Sequence, residues 1–146
     1  MPSSSFTKFE KFSEDLFNKV HDLFGTGGST ADVLRFYLTN ATPNAATHGV
    51  KADIAEIATG SGYTGAVAVD NIGTRSGGTV SIAVTDKTIT ASGGSVGPFR
   101  YAVVFNDTPT SPADPLVGFY DYGAAITLAD GDSFVLDFAA TLLTGA

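Results

Sequence analysis

The chain has no cysteine, so disulfides and thiolate metal sites are excluded, and cysteine usage gives no clue to a redox compartment. No apolar run approaches the ~20 residues that cross a bilayer as a helix. The start, Met1 to Lys8, also lacks the uninterrupted apolar core of a signal peptide. The expectation is a soluble chain made in the cytoplasm, without membrane association. Charge is scarce as well: 16% of residues are charged and the formal net charge is −7. No stripe of Lys and Arg is present, which disfavours nucleic-acid binding on electrostatic grounds. From residue 100 onward one base, Arg100, stands against Asp107, Asp114, Asp121, Asp130, Asp132 and Asp137. These aspartates lack the spacing of a calcium loop and read as solubilising turn residues, with Asp130-Gly131-Asp132 as a hairpin turn.

Catalytic patterns are missing too. His21 and His48 lie far apart, and no patterned carboxylate accompanies either, so both read as surface residues. Gly60-Ser61-Gly62 and Gly25-Thr26-Gly27-Gly28 lack the Lys and the strand-to-helix setting of phosphate loops. The Gly-x-Ser-x-Gly nucleophile motif does not occur. No enzyme, cofactor or metal site is expected.

What the chain does have is an apolar stripe at its start. Phe6, Phe9, Phe12, Leu16, Phe17, Val20, Leu23 and Phe24 fall within an arc of about 140° at helical spacing. Thr7 and Glu10 match a capping box, with Ser5 as a rival N-cap, and Gly25 is placed to end the helix, with Gly27-Gly28 continuing as a joint. The spacing predicts a helix over roughly residues 5–24, a Gly-rich linker over 26–32 and a β domain over 33–146. Burial of the stripe must offset the entropy of ordering the segment, so the helix needs a partner surface. That surface is either the β body itself or another chain. The stripe is wider than a dimeric coiled-coil seam, which fits docking or a higher oligomer, a trimer before others. These eight residues form the candidate assembly interface.

From Ala31 onward short alternating strands are separated by Gly, Pro, Asn and Asp. Strands are predicted at Val33–Thr39, Val67–Asn71, Thr79–Thr85, Lys87–Ala91, Phe99–Phe105, Leu116–Tyr122 and Ser133–Ala139, while Val50–Ala58 suits a helical turn or a strand. In the fifth of these, Phe99, Tyr101, Val103 and Phe105 should share one face. The connections 39–49, 59–65, 73–78 and 106–115 read as long loops, some of them arms able to reach a neighbour. The pattern implies a mainly β fold: an antiparallel sandwich or jelly-roll-like domain preceded by one amphipathic helix.

Several stretches carry a resemblance. They are Phe6-Thr7-Lys8-Phe9; Leu38-Thr39-Asn40 followed by Pro43; Ala52-Asp53-Ile54 leading to Gly62-Tyr63-Thr64; Thr90-Ala91-Ser92-Gly93-Gly94-Ser95 with Phe99-Arg100-Tyr101-Ala102-Val103; and Gly118-Phe119-Tyr120-Asp121-Tyr122-Gly123. Together they resemble a family of small bacteriophage and prophage structural proteins encoded among virion genes. The resemblance implies a virion component and no catalytic residue. Within that class the expectation is a capsid decoration or cement protein on the outer shell, oligomeric and in contact with the major capsid protein or other virion subunits. A head–tail or tail position is the nearest alternative. A β-sandwich adhesin using Tyr37, Tyr63, Tyr120 or Tyr122 against glycan is the other.

Overall fold

The computed structural model describes residues 6–24, 31–138 and 142–145. In chain order the elements are β1 (Thr7–Lys8), α1 (Glu10–Phe17), β2 (Leu34–Thr39), a 3-10 turn (Lys51–Asp53), β3 (Val67–Ala68), β4 (Ile72–Ser76), β5 (Thr79–Ala83), β6 (Lys87–Thr90), β7 (Val96–Asn106), β8 (Leu116–Leu128), β9 (Ser133–Leu136) and β10 (Leu143–Gly145). The fold is mainly β, with antiparallel pairing throughout and a sandwich-like arrangement rather than a closed barrel. A five-stranded sheet runs β1-β8-β7-β2-β3, and it faces a three-stranded sheet, β10-β5-β4, and a two-stranded one, β6-β9.

Both faces of the large sheet are apolar, because β2, β7 and β8 place side chains of core type on alternate positions of each side. On one face Leu34, Phe36 and Leu38 of β2, with Ala102, Val104, Val117 and Tyr120, pack against Ile82, Ile89, Phe134, Leu136 and Phe138 of the smaller sheets. On the other, Tyr37, Val103, Phe105 and Leu116 are covered by Phe9 and Ile54. Bulges decide which residue joins which face. Phe99 does not sit with Val103 and Phe105 as strict alternation predicts. A register shift between Phe99 and Tyr101 turns it to the face of Ala102 and Val104, where its ring meets Phe134 edge-on at 5.0 Å.

Several connections differ from the expected loops for a shared reason: their polar backbone finds partners within the chain. Residues 73–78 are mostly strand, since β4 and β5 form a hairpin closed at Gly77-Gly78. Segment 39–49 folds back, with Glu10 N–H donating to Ala45 O at 2.9 Å and Leu116 N–H to Gly49 O at 2.9 Å. The ambiguous stretch at 50–58 begins as the 3-10 turn, whose Asp53 carboxylate accepts from the amides of Gly49 and Val50. Those two donors hold the Asp53 carboxyl below the usual range. Asp130-Gly131-Asp132 does form a turn, but it joins β8 to β9, which pair with β7 and β6, so it is not a hairpin.

Tyr63, 1% exposed, ties the cover of the second face to β2. Its hydroxyl accepts from Leu38 N–H at 3.0 Å and donates to Glu56 at 2.6 Å, and Lys51 closes on the same carboxylate at 3.0 Å. Burial is the main cause that pushes the Tyr63 hydroxyl well above its ordinary value, with Glu56 adding to it. Tyr63→Phe would strand the buried Leu38 amide and should cost about 1–3 kcal/mol of stability in a urea titration; an unchanged midpoint would show that the hydroxyl is dispensable.

Candidate functional site

The N-terminal stripe is where the structure departs most from simple periodicity. Helix α1 covers Glu10–Phe17, not 5–24. Its first turn is not capped by Thr7, which lies in β1 opposite Phe119; Phe9 takes the N-cap position without a side-chain cap bond. The helix stops well before Gly25, which, like Ser5 and the Gly27-Gly28 joint, lies outside the described residues. Lys19 adopts φ +63, Lys19 N–H donates to Leu16 O at 3.2 Å, and Val20 N–H donates to Asp15 O at 2.9 Å. That pair of bonds is the Schellman termination, here made by a lysine where glycine is usual. Residues 20–24 then run back without helical structure.

The early stop divides the eight stripe residues. Phe9, Phe12 and Leu23 are buried in the body's own core, with Phe9 on one face of the large sheet and Phe12 on the other. Phe6 and Val20 are half-buried, and the Phe6 ring packs 5.0 Å from Tyr120. Close approach of β1 depends on Gly118: a Cβ there would lie 2.7 Å from the Thr7 carbonyl oxygen and inside the Phe6 ring. Leu16, Phe17 and Phe24 remain 43%, 91% and 45% exposed. Part of the stripe thus completes the core of its own chain, and only the remainder faces outward.

Beside that remainder lies a cleft of about 310 Å³. Phe12, Leu16, Leu23 and Phe24 form one wall, Val80, Ile82 and Leu143 of the β5–β10 pair the other, and Lys8 and His21 supply polar atoms. His21 is 8% exposed, contrary to the surface position expected for it. The ring sits 4.8 Å from Phe12, and Asn106, itself fully buried, donates from Nδ2 to His21 Nδ1 at 3.0 Å and to Asp32 Oδ2 at 2.8 Å. An amide nitrogen only donates, so Nδ1 is the acceptor and the imidazole proton resides on Nε2. Among the described residues neither His21 Nε2 nor Asp15 Oδ2 has a hydrogen-bond partner, although both are buried. Asp15 is held by its other oxygen, 3.1 Å from Lys11. Asp32 also fastens the returning segment: Asp22 N–H donates to Asp32 Oδ2 and Asp32 N–H to Asp22 O, each at 2.8 Å.

Chemically, the cleft offers mainly apolar area. The basic nitrogen of His21 is engaged by Asn106 and is not free to accept a proton from a bound group. The tyrosines that a glycan platform would need are elsewhere. Tyr37, Tyr63 and Tyr120 are core residues, burial pushes the Tyr120 hydroxyl up to about 12, and Tyr122 meets Phe134 edge-on at 5.6 Å. Among the described residues no group of three or more His, Asp or Glu is placed to hold a metal ion, and no helix is long and apolar enough to cross a membrane. No known protein family, curated protein or solved structure matches the chain. Sequence reasoning missed His21, Asn106 and Asp32 because the three are brought together only by the end of β7; no spacing along the chain announces them.

Two predictions follow from this geometry. Phe12→Ala should cost about 3–5 kcal/mol, whereas Phe17→Ser should change stability by less than about 0.5 kcal/mol, both read by denaturant unfolding; equal costs would mean that Phe17 is also part of the core. Lys19→Gly relieves a left-handed side chain and should raise stability by about 0.5–1 kcal/mol; a loss would contradict the helix end described.

Proposed function

We propose that the protein is a bacteriophage virion structural protein, a decoration or cement subunit that stabilises the outer face of the head shell through protein–protein contacts. The single observation that carries the docking role is Phe17. It is 91% exposed at the end of a helix whose other phenylalanine, Phe12, is buried, and it follows Leu16, itself 43% exposed and lining the apolar cleft. Apolar side chains grouped at the mouth of an apolar cleft are costly in water and mark a contact surface. The phage structural family that the sequence resembles supports the choice of a virion partner, and the acidic net charge suits the outer shell face better than packaged DNA. On this reading the partner is the major capsid protein or another virion subunit, and the protein acts as a homo-oligomer, a trimer before others. Burial of Tyr37, Tyr63 and Tyr120 weighs against the glycan-binding alternative.

Burying Leu16 and Phe17 against a partner would contribute about 3–6 kcal/mol, so losing them should weaken binding by roughly a hundredfold or more. The test is co-sedimentation of the purified chain with capsid shells and, separately, with tails of the phage that encodes it. Wild-type protein should pellet with shells, and a Leu16→Asp/Phe17→Asp variant should stay in the supernatant while unfolding at the wild-type midpoint. Equal binding of the variant would refute the assigned surface; pelleting with tails alone would move the protein to the tail.

A further inference from the structure

The returning segment at residues 18–24 is held by a buried polar junction that the docking role does not use. Asn106 is fixed at three points: Nδ2 donates to both His21 Nδ1 and Asp32 Oδ2, and Oδ1 accepts from Thr108 N–H at 3.1 Å. Turning the amide over would aim its oxygen at the Asp32 carboxylate and its NH₂ at the Thr108 N–H, so it cannot reverse to accept a proton from the ring. A proton arriving on Nδ1 would therefore face a donor and break the contact. We propose that this junction is an acid-opened latch: residues 18–24 stay docked on the body while His21 is neutral, and protonation of Nδ1 releases them, taking apart the wall of the cleft that Leu23 and Phe24 form. The proposal stands whether or not the cleft meets a capsid subunit.

The surroundings set the direction. Asp15 of α1 and Asp32 ahead of β2 favour the charged ring, while Asp22 on the same segment and Lys8 of β1 share the cleft with it; β5 and β10 present no charged group there. Burial among these elements opposes the charge more strongly and lowers the proton affinity of His21 below the ordinary imidazole value of 6.5. The released segment regains that ordinary value, so the open state binds more protons than the docked one. The latch is thus complete above about pH 6.5 and weakens as pH falls below it, by up to about tenfold per unit for one proton.

The test uses the full-length chain and its two histidines. Nitrogen-15 spectra of the imidazoles at pH 7.5 should place the His21 proton on Nε2; a proton on Nδ1 would overturn the latch. Amide exchange at Asp22 and Asp32, corrected for intrinsic rate, should then be followed from pH 7.5 to 5. Protection should fall by up to about tenfold per unit below about 6.5, while the β7–β8 amides keep theirs. His21→Asn, which keeps an acceptor near Nδ1 but does not titrate, should hold a constant protection over the same range. A flat wild-type profile would refute the proposal, and so would an equal fall in the variant, which would assign the effect to the carboxylates. Should the variant not fold, the wild-type imidazole titration decides alone: a midpoint at or above 6.5 refutes the latch.

Discussion

The five-stranded sheet is apolar on both faces, and a short chain has to find cover for each. One face is met by the two smaller sheets, a sandwich in the ordinary sense. Among the described residues no second sheet covers the other, which is closed by Phe9 and Ile54 with Ala66 beside them. This constraint explains why the N-terminal stripe is split. A segment entering along the outer edge of β8 can reach both sides of the sheet, and it delivers Phe9 to one and Phe12 to the other. A continuous twenty-residue helix has one apolar stripe and could serve only one face. The two-residue strands β1 and β3 at the borders of the sheet have a second effect: short edge strands leave little backbone to template pairing with another chain.

Much of this fold is legible along the chain, and the part that is not has identifiable causes. Alternation in Leu34–Thr39 and Ser133–Leu136 marks β2 and β9, because one residue in two must face the core, and Phe134, Leu136 and Phe138 do so. Phe99 is misplaced by the same rule, since a bulge adds a residue without any signature in hydrophobicity. The end of α1 is hidden for a different reason. Periodicity continues through Val20, Leu23 and Phe24, glycine is available at 25, and nothing in Asn18-Lys19 announces that a lysine accepts the left-handed position. Tertiary contact overrides local preference there: the turn brings His21 to Phe12 and Asn106, and Asp22 to Asp32. The candidate site is legible only in part. The stripe names its apolar wall, but the division between core and exposed residues depends on where the helix stops.

The junction at His21 is an unusual way to hold a segment that already carries apolar anchors. Leu23 alone, fully packed, would contribute about 1.5–3 kcal/mol, so the polar junction shares the adhesion of the segment with apolar contact. What Asn106, Asp32 and His21 add is direction. Hydrogen bonds with fixed donor and acceptor roles admit one register of residues 20–24 against the body, whereas apolar contact alone tolerates sliding. The cost of that specificity is visible in His21 Nε2 and Asp15 Oδ2, each buried without a partner among the described residues.

Fixed register also links the two properties of this end of the molecule. Phe24 lies against Gly73 of β4, where an added Cβ would sit 3.0 Å from the ring, and it lines the cleft that Leu16 opens toward solvent. Its position is therefore set from one side by the bare backbone of a glycine and from the other by the polar junction three residues earlier. A group that shifts His21 moves Leu23 and Phe24 with it, while Leu16 and Phe17 stay on α1, anchored by Phe12 and the Lys11–Asp15 pair. The apolar patch is thus composed of one half tied to the helix and one half tied to a titratable contact. The second half follows the state of the His21 contact, and the first can engage a partner in either state of that contact.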